Sequence, residues 1–165
     1  MKYFILKTDG ASRGNPGDAG VGFVLLTEDG DNLFEYKRYI GETTNNIAEY
    51  KAISYGLKVS INFLSTRPGS FELPLNRINI KVLSDSQLVI RQLKGEYKLR
   101  ADHLREYYKR IKEVSNSINS VEFQHIPREE NEIADRLANE AINEKKREHP
   151  KFYNLRWPSG SEGLS

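Results

Sequence analysis

Residues 3–27, YFILKTDGASRGNPGDAGVGFVLLT, decide the fold class because they set two β-rich runs on either side of a turn cluster. Residues 3–8 and 21–27 favour strands, whereas residues 10–17 are rich in glycine, with an asparagine and a proline. This pattern predicts a strand, a turn cluster and a second strand. A third β-rich run at residues 33–40 follows after a short polar segment, so we expect an antiparallel meander.

The period of the apolar residues changes in the rest of the chain. From Tyr50 to Leu64 they recur every three or four positions, which predicts an amphipathic helix that begins after Asn46. Residues 65–76, with two prolines, predict a loop. The remaining periodic segments predict strands at 78–84 and 121–126 and helices at 86–93, 104–114 and 131–145. Strands that alternate with helices favour parallel pairing, so this half predicts an α/β arrangement.

The length of 165 residues suits one domain with a core of ordinary size. We expect that domain to occupy residues 1–147. Residues 148–165, with two prolines and several serines and glycines, predict a weakly ordered C-terminal tail.

The composition excludes several classes of site. There is no cysteine, so disulfides, thiol nucleophiles, zinc–thiolate sites and iron–sulfur clusters are excluded, and a metal would have to bind oxygen or imidazole. No run of 18 apolar residues is present, and the N-terminal residues lack the apolar region of a signal peptide. We therefore expect a cytoplasmic protein that does not span a membrane.

The net charge of +2 is small for a protein that binds a polyanion. The positions of the charged residues matter more than their net sum. If four of the carboxylates bound metal ions, the rest of the surface would be clearly basic.

Four acidic residues occupy positions at which carboxylates could meet. Asp9 follows the first predicted strand and Asp85 the fourth, so parallel pairing would put them side by side at one edge of the sheet. Glu49 lies in the first turn of the long helix, and Asp135 lies in the opening turns of the last helix. Carboxylates this close repel each other unless they are protonated or bridged by cations.

Each acid also has a purely structural interpretation. Asn46 and Glu49 fit a capping box, and Asp9 precedes a glycine in a common turn pair. Asp135 would complement a helix dipole, and Asp85 lies in a segment that could cap the next helix. Taken one at a time, these positions leave both interpretations open.

Taken together, four segments resemble the signatures of the type 1 ribonuclease H family, in family order. They are TDGASRGNPG at 8–17 with GVG at 20–22, TTNNIAE at 43–49, SDSQ at 84–87, and HIPREENEIADRLA at 125–138. The resemblance covers residues 1–141. It implies a ribonuclease H-like α/β fold: a five-stranded mixed sheet, with three antiparallel and two parallel strands, flanked by helices.

The resemblance implies that the domain is a metal-dependent endonuclease. It would hydrolyse the RNA strand of RNA/DNA hybrids to 5′-phosphate and 3′-hydroxyl products. The metal ligands and catalytic acids would be Asp9, Glu49, Asp85 and Asp135. Hydrolysis of a phosphodiester by two metal ions needs such a carboxylate set, and Mg²⁺, with Mn²⁺ as a substitute, prefers oxygen ligands.

Further site residues follow from the same resemblance. His125 matches a histidine that assists proton transfer or product release, a role that Arg128 and neighbouring acids could share. The residues expected to bind substrate are Asn15, Asn45, Asn46 and Gln87, whose amides would read the 2′-hydroxyl groups, and Thr44 and Arg13, which would contact phosphates. Turn and cap chemistry is the structural alternative for the asparagines. We expect RNA/DNA hybrid as the partner of a monomeric protein.

One segment departs from a branch of the family. Some members insert a tryptophan- and lysine-rich helical protrusion after the third signature, whereas residues 92–105 here are basic and contain no tryptophan. The segment is either a solvated helical connection or a substitute basic contact with the hybrid.

Two rival functions follow from the fact that a fold alone does not fix an activity. One is a non-catalytic nucleic-acid binding module, which would be expected to have lost at least one of the acids. The other is a DNA-cutting nuclease of the wider superfamily, which would usually lack the paired asparagines and the Asn15-Pro16-Gly17 segment.

Overall fold

The computed structural model describes residues 3–66 and 72–145, and the backbone of residues 149–152. The strands are β1 (Phe4–Gly14), β2 (Gly17–Thr27), β3 (Asn32–Thr43), β4 (Asn79–Ser84), β5 (Ser120–His125) and β6 (His149–Phe152). The helices are α1 (Asn45–Thr66), α2 (Gln87–Leu93), α3 (Asp102–Ser115) and α4 (Glu132–Glu144), with short 3₁₀ turns at Leu75–Arg77 and Arg128–Glu130.

In the described part of the chain, the strands form one sheet in the order β5-β4-β1-β2-β3-β6. β1, β2 and β3 pair antiparallel, whereas β4 pairs parallel with both β1 and β5. The predicted mixed sheet of five strands is therefore confirmed. Short connections give the antiparallel meander, and helical crossovers give the parallel pairs.

The edge of the sheet beyond β3 differs from the sequence prediction. Residues 149–152, which were expected to lie in the weakly ordered tail, form β6 antiparallel to β3. A four-residue strand carries too little pattern to be recognised beside a proline, since Pro150 lies within it. The proposed domain boundary at 147 and tail residues 153–165 lie outside the described residues.

The first strand is longer than predicted. β1 continues through residues 10–14, which the sequence assigned to a turn cluster, and only Asn15 and Pro16 separate it from β2. Gly14 has a φ of +120°, a conformation that favours glycine, so the chain reverses within two residues. The glycine-rich segment is therefore mostly strand, and Asp9 lies inside β1 instead of at its end.

The register assigns α1 and α4 to opposite faces of the sheet. Gly10 of β1 faces α1 and pairs with Val21, so the odd-numbered residues of β2 face α1 as well. Gly20 and Gly22 face the other way: a Cβ on Gly22 would lie 2.5 Å from the Ala138 nitrogen of α4. The glycines of the GVG segment let α4 pack directly on the backbone of β2.

The core lies mainly between the sheet and α1. All but a narrow stripe of α1 is buried against it. The largest fully buried side chains are Tyr36, Tyr50, Phe23, Phe34, Phe63, Leu6, Leu25, Ile53, Leu57, Leu64, Ile78 and Ile80. Among the described helices, none combines the length and apolar character that a membrane span requires.

Candidate active site

Parallel pairing brings Asp9 and Asp85 together. Thr8 pairs with Ser84 at the end of β4, so the next residue of each strand emerges at the same edge of the sheet. This is the juxtaposition that the sequence predicted. Asp9 is 5% exposed and Asp85 is half-buried, so the two carboxyl groups lie at the base of a cleft and not on an open surface.

Gly10 brings Glu49 to the same place. A Cβ at this position would lie 2.2 Å from the carbonyl carbon and oxygen of Ala48, so the backbone of α1 touches β1 here. The Gly10 N–H also donates a hydrogen bond to the Glu49 carboxylate. The glycine after Asp9 is therefore required by the close approach of α1, and not by a turn.

Three carboxylates form one cluster. Oxygen atoms of Asp9, Glu49 and Asp85 all lie within 4.8 Å of one another. They open into a cleft of about 450 Å³ with Asp135 on its wall. The cleft is lined by Asp9, Gly10, Ala11, Ser12, Asn45, Glu49, Asp85, Ser86, Arg128, Asp135 and Asn139. The four predicted acids thus share one cleft, although Asp135 lies outside the tight cluster of three.

Burial and mutual repulsion perturb these groups. Burial, followed by the charge of Asp85 and by Asp135, raises the pKa of Asp9 to about 8. Burial and the charge of Asp9 raise the pKa of Glu49 well above its usual value. The hydrogen bond between the two side chains raises the pKa of Glu49 further and opposes the rise at Asp9. Such a cluster of like charges is costly to maintain for structure alone.

Asp85 and Asp135 are better compensated than Asp9 and Glu49. Burial raises the pKa of Asp85, although a hydrogen bond from Asn131 opposes that rise. The Asn139 amide donates to Asp135 Oδ1 over 3.3 Å, and Arg128 Nη2 lies 3.9 Å from the same oxygen. The negative charge is therefore least compensated at Asp9 and Glu49.

The donor set fits a hard divalent cation. All the donors in the cluster are carboxylate oxygens, the ligands that Mg²⁺ and Mn²⁺ prefer. Glu49 Oε2 is buried and has no hydrogen-bond partner among the described residues. A cation would satisfy that oxygen and offset the burial and the mutual repulsion that raise the pKa of Asp9 and Glu49.

His125 lies at the rim of this site. It is the exposed last residue of β5, and its register partner is Ser84, the residue before Asp85. A coulombic interaction with His125 opposes the rise in the pKa of Asp85. Arg128 follows in the next turn and lines the cleft itself. His125 thus lies beside the strand end that precedes Asp85.

The start of α1 corrects the capping-box interpretation. The Thr44 hydroxyl accepts a hydrogen bond from Ile47 N over 3.3 Å, so Thr44 and not Asn46 caps the helix. Glu49 lies too far into α1 to reach back to this cap, and it faces the cleft instead. Asn45 N donates to Asn15 Oδ1 over 3.1 Å, which ties the β1–β2 turn to the helix.

The other residues predicted to bind substrate lie on β1, α1 and α2. Gln87 is exposed as the first residue of α2, whose N-terminus is capped by the Ser86 hydroxyl. Arg13 is exposed near the end of β1, where it donates to the Asn139 carbonyl over 3.4 Å. Asn46 faces a second groove, beside Leu88, Gln92, Glu96, Tyr97, Lys98, Arg100, Ala101 and Leu104. The roles of these residues stay predictions.

Sequence reasoning missed the part that Asn131 plays. This fully buried residue donates from Nδ2 to the Thr8 carbonyl over 2.8 Å and also hydrogen-bonds Asp85. Its backbone carbonyl accepts from Asp135 N over 3.1 Å. Through its side chain and its backbone, Asn131 thereby links the elements that carry three of the acids. A polar residue before a helix usually indicates a cap, so the sequence held no signal for this contact.

The chain is similar to known proteins over most of its length. A sequence-family model described as reverse transcriptase-like matches residues 7–67 and 72–141. Ribonuclease HI of Halobacterium salinarum is 40% identical over 136 residues, which are 82% of this chain and 62% of that protein. A bifunctional protein of Mycobacterium tuberculosis is 35% identical over 84% of this chain. The match spans only 35% of the length of that mycobacterial relative.

Solved structures share the fold and the sequence. The crystal structure of RNase H1 from Halobacterium salinarum superposes with a TM-score of 0.76 at 37% identity, over 86% of this chain and 98% of that one. The structure of LC11-RNase H1 in complex with an RNA/DNA hybrid gives a TM-score of 0.76 at 39% identity, with the same coverage.

Proposed function

Because the chain belongs to the type 1 ribonuclease H family, we propose that it is a metal-dependent endonuclease that hydrolyses the RNA strand of RNA/DNA hybrids to 5′-phosphate and 3′-hydroxyl products. The observation that carries the proposal is the cluster of Asp9, Glu49 and Asp85, whose oxygens lie within 4.8 Å of one another. The hybrid bound to LC11-RNase H1 supports the choice of substrate.

Asp9, Glu49, Asp85 and Asp135 would hold two Mg²⁺ ions, with Mn²⁺ as a substitute. When bound, the ions would supply an activated water and stabilise the leaving oxygen of the phosphodiester. Asp9 and Asp85 lie at the centre of the cleft and would contact both ions. Glu49, on the α1 side, and Asp135, on the α4 side, would each complete one site. The unpartnered Oε2 of Glu49 supports its part in this set.

The side chains at the rim would transfer protons and assist release of the product. His125 interacts with Asp85 and is exposed to solvent, which suits a group that exchanges protons with water. Arg128 faces Asp135 across the cleft with an exposed guanidinium group. It would attract the phosphate that forms on the product and could share the role of His125.

The amides at the start of α1 would select RNA. The Asn15 side chain already accepts from Asn45 N, so its Nδ2 group is left to donate to a 2′-hydroxyl or a base edge. Asn45 lines the carboxylate cleft, and Asn46 and Gln87 lie on the side of α2. This arrangement would let the minor groove of a hybrid cross the N-terminus of α1. Thr44 and Arg13 would contact phosphates beside it.

The groove beside Asn46 supports the second interpretation of residues 92–105. Lys98 and Arg100 line it together with Tyr97, which is 42% exposed. Cations beside an aromatic ring are suited to a nucleic-acid strand. In this proposal the segment replaces the tryptophan-rich protrusion as the contact with the hybrid.

Cleavage of end-labelled nucleic acids tests the activity. The substrates are an RNA/DNA hybrid, duplex RNA, duplex DNA and the single strands, each with Mg²⁺, Mn²⁺ or EDTA. We expect loss of the RNA strand of the hybrid alone, with either metal and not with EDTA. Binding to the hybrid without cleavage in either metal would favour the non-catalytic binding module. Cleavage of duplex DNA would favour the DNA-cutting rival.

Our expectation of a cytoplasmic monomer belongs to the same proposal. The four acids that would hold the metal ions, and the residues around their cleft, all come from one chain, which supports an active monomer. Light scattering on a size-exclusion column would give the mass in solution, and a dimer would contradict this expectation.

A further inference from the structure

Lys7 contacts the segment between β5 and α4. It lies in β1, two residues before Asp9, on the face of the sheet that α4 covers, because side chains alternate along a strand and Gly10 faces α1. Its Nζ donates a hydrogen bond to the backbone carbonyl of Glu130 over 3.0 Å. Within residues 3–66 and 72–145, no carboxylate forms an ion pair with this ammonium group. The ammonium group therefore holds a backbone carbonyl and not an acid.

The same segment is attached to the sheet at both of its ends. At its start, the Ile126 N–H donates to the Ser84 carbonyl of β4 over 2.9 Å, and Ile126 is buried. At its end, the fully buried Asn131 donates to the Thr8 carbonyl of β1. Lys7 adds a third attachment, one residue before Asn131. Two consecutive residues of β1 thus hold two consecutive residues of the segment.

Arg128 projects from this segment over the carboxylate cleft. Its guanidinium group lines the cleft and lies 3.9 Å from Asp135 Oδ1, but its side chain is 81% exposed. The Arg128 carbonyl accepts from Asn131 N over 3.0 Å, and the Pro127 carbonyl accepts from Glu130 N over 3.0 Å. Little packing therefore fixes the side chain, and the backbone of this turn determines where the guanidinium group can reach.

A fixed backbone matters for a long, exposed cation. An arginine side chain loses rotamer entropy when it binds a phosphate, and movement of its backbone would add to that cost. Displacement of a contact by about 1 Å also lowers a rate strongly, since reaction depends on orientation. Lys7 lies outside the four signature segments, so the family resemblance assigns it no role. Its contact with Glu130 indicates one.

We propose that Lys7 is a positioning residue for Arg128. Its hydrogen bond to the Glu130 carbonyl holds the turn against β1, so that the guanidinium group stays over the cleft and contacts a phosphate oxygen of the cleaved strand. The inference rests on the proposed function for the contact with phosphate, whereas the attachment of the turn to β1 does not depend on that function. Lys7 acts through Arg128 and contacts no reacting group itself.

A double-mutant cycle tests whether Lys7 acts through Arg128. Lys7→Met removes the ammonium group and keeps an unbranched apolar chain. In the wild-type background it should lower the single-turnover rate of hybrid cleavage in Mg²⁺ about fivefold, whereas in an Arg128→Ala background it should change that rate by less than about 1.5-fold. Lys109→Met removes an exposed charge from α3 and is the matched control. It should leave the rate unchanged in both backgrounds.

Amide hydrogen exchange tests the attachment of the turn without cleavage. The metal-free protein is measured in EDTA by NMR, and the readout is the protection of the Glu130 and Asn131 amide protons, which both donate within the turn. Lys7→Met should lower this protection about fivefold, the net effect of one hydrogen bond. Lys109→Met should leave it unchanged. Lys7→Gln, which is uncharged and one atom shorter, replaces Lys7→Met in both measurements if that variant fails to fold.

An equal loss of rate for Lys7→Met in the two backgrounds would overturn the inference, because Lys7 would then act through its own charge or through general stability. Unchanged protection of the Glu130 and Asn131 amides would overturn it as well. A wild-type protein that cleaves the hybrid while the two Lys7→Met effects are equal refutes this inference alone. If the wild-type protein does not cleave the hybrid, the proposed function fails, and the exchange measurement still decides whether Lys7 holds the turn.

Discussion

Two regions that share helix α4 differ in how their charges are compensated. In the carboxylate cleft, Asp9 and Glu49 lie together with no cation in the tight cluster, and burial raises the pKa of both. Between β3 and α4, Lys37 Nζ lies 3.1 Å from Glu140 and 2.9 Å from Glu144. Opposite charges alternate there.

Arg136 extends these ion pairs to a carboxylate of β3. Arg136 bridges Glu140, at 3.1 Å, and Glu35, at 3.3 Å. We call Lys37, Arg136, Glu35, Glu140 and Glu144 the β3–α4 network. A chain that compensates its charges this thoroughly on one surface could do so on the other. The uncompensated acids of the cleft therefore indicate a bound cation and an activity, and not a structural need.

The largest expected effect is the loss of cleavage when the central acid is neutralised. Asp9→Asn keeps the size and shape of the side chain but removes the charge that would hold both metal ions. Cleavage of the hybrid should fall by about 1000-fold or more, measured as single-turnover rates in Mg²⁺. Lys37→Met, in the β3–α4 network, should stay within about twofold of wild type. Similar rates for Asp9→Asn and wild type would remove Asp9 from the mechanism.

A second prediction concerns the contact that assembles the cleft. A Cβ in Gly10→Ala would lie 2.2 Å from the backbone of Ala48, so α1 has to move away from β1. We expect a loss of about 3 kcal/mol in the free energy of unfolding, measured with urea. The displacement of Glu49 should also lower the cleavage rate by about 100-fold.

Gly30→Ala separates this crowding from ordinary backbone strain. Gly30 has a φ of +92°, but a Cβ there would have nothing within 4 Å. The change should cost about 1 kcal/mol and leave cleavage unaffected. Equal losses of stability for the two variants would mean that α1 tolerates the added methyl group at Gly10.

A third prediction follows from the raised pKa of Asp9, about 8 in the folded protein. A carboxyl whose pKa is higher in the folded state stabilises the protein fully below its unfolded pKa, near 4, and loses that effect as pH rises through 8. The metal-free protein should therefore lose stability between pH 4 and pH 8. Asp9→Asn should be more stable than wild type at pH 8 by about 2 kcal/mol.

Thermal unfolding in EDTA at pH 5 and pH 8 measures this difference. Adding Mg²⁺ at pH 8 should raise the melting temperature of wild type much more than that of Asp9→Asn, because binding of the ion replaces the lost proton. A wild-type protein whose metal-free stability does not fall between these pH values would show that the pKa of Asp9 is not raised in the folded protein.

Some features of the fold and of the cleft could be predicted from the sequence, and others could not. Periodicity predicted the strands and helices, and the order of elements predicted the parallel pair that brings Asp9 beside Asp85. These features depend on local pattern and on short connections. The same reasoning misjudged residues 10–14 because glycine favours turns, whereas here Gly10 makes room for the backbone of another element.

The missing parts of the site depend on contacts distant in sequence. Thr44, and not Asn46, caps α1, a choice set by how β3 enters the helix. Asn131 reaches the Thr8 carbonyl, 123 residues away, and no local signal predicts such a contact. The β3–α4 network is likewise invisible in the sequence, since Lys37 and Glu140 are 103 positions apart.

The smallest expected effect belongs to that network. Burial alone would lower the pKa of Lys37, but hydrogen bonds to Glu144 and Glu140 raise it overall. Lys37→Met should cost about 1 kcal/mol, measured by urea unfolding at pH 7, because partly exposed ion pairs contribute little and Arg136 still neutralises Glu140. The loss should shrink between 0.05 and 0.5 M NaCl as salt screens the pairs. A loss above 3 kcal/mol would mean that the network holds α4 on the sheet. The network would then differ from the cleft in its contribution to stability as well as in its charge compensation.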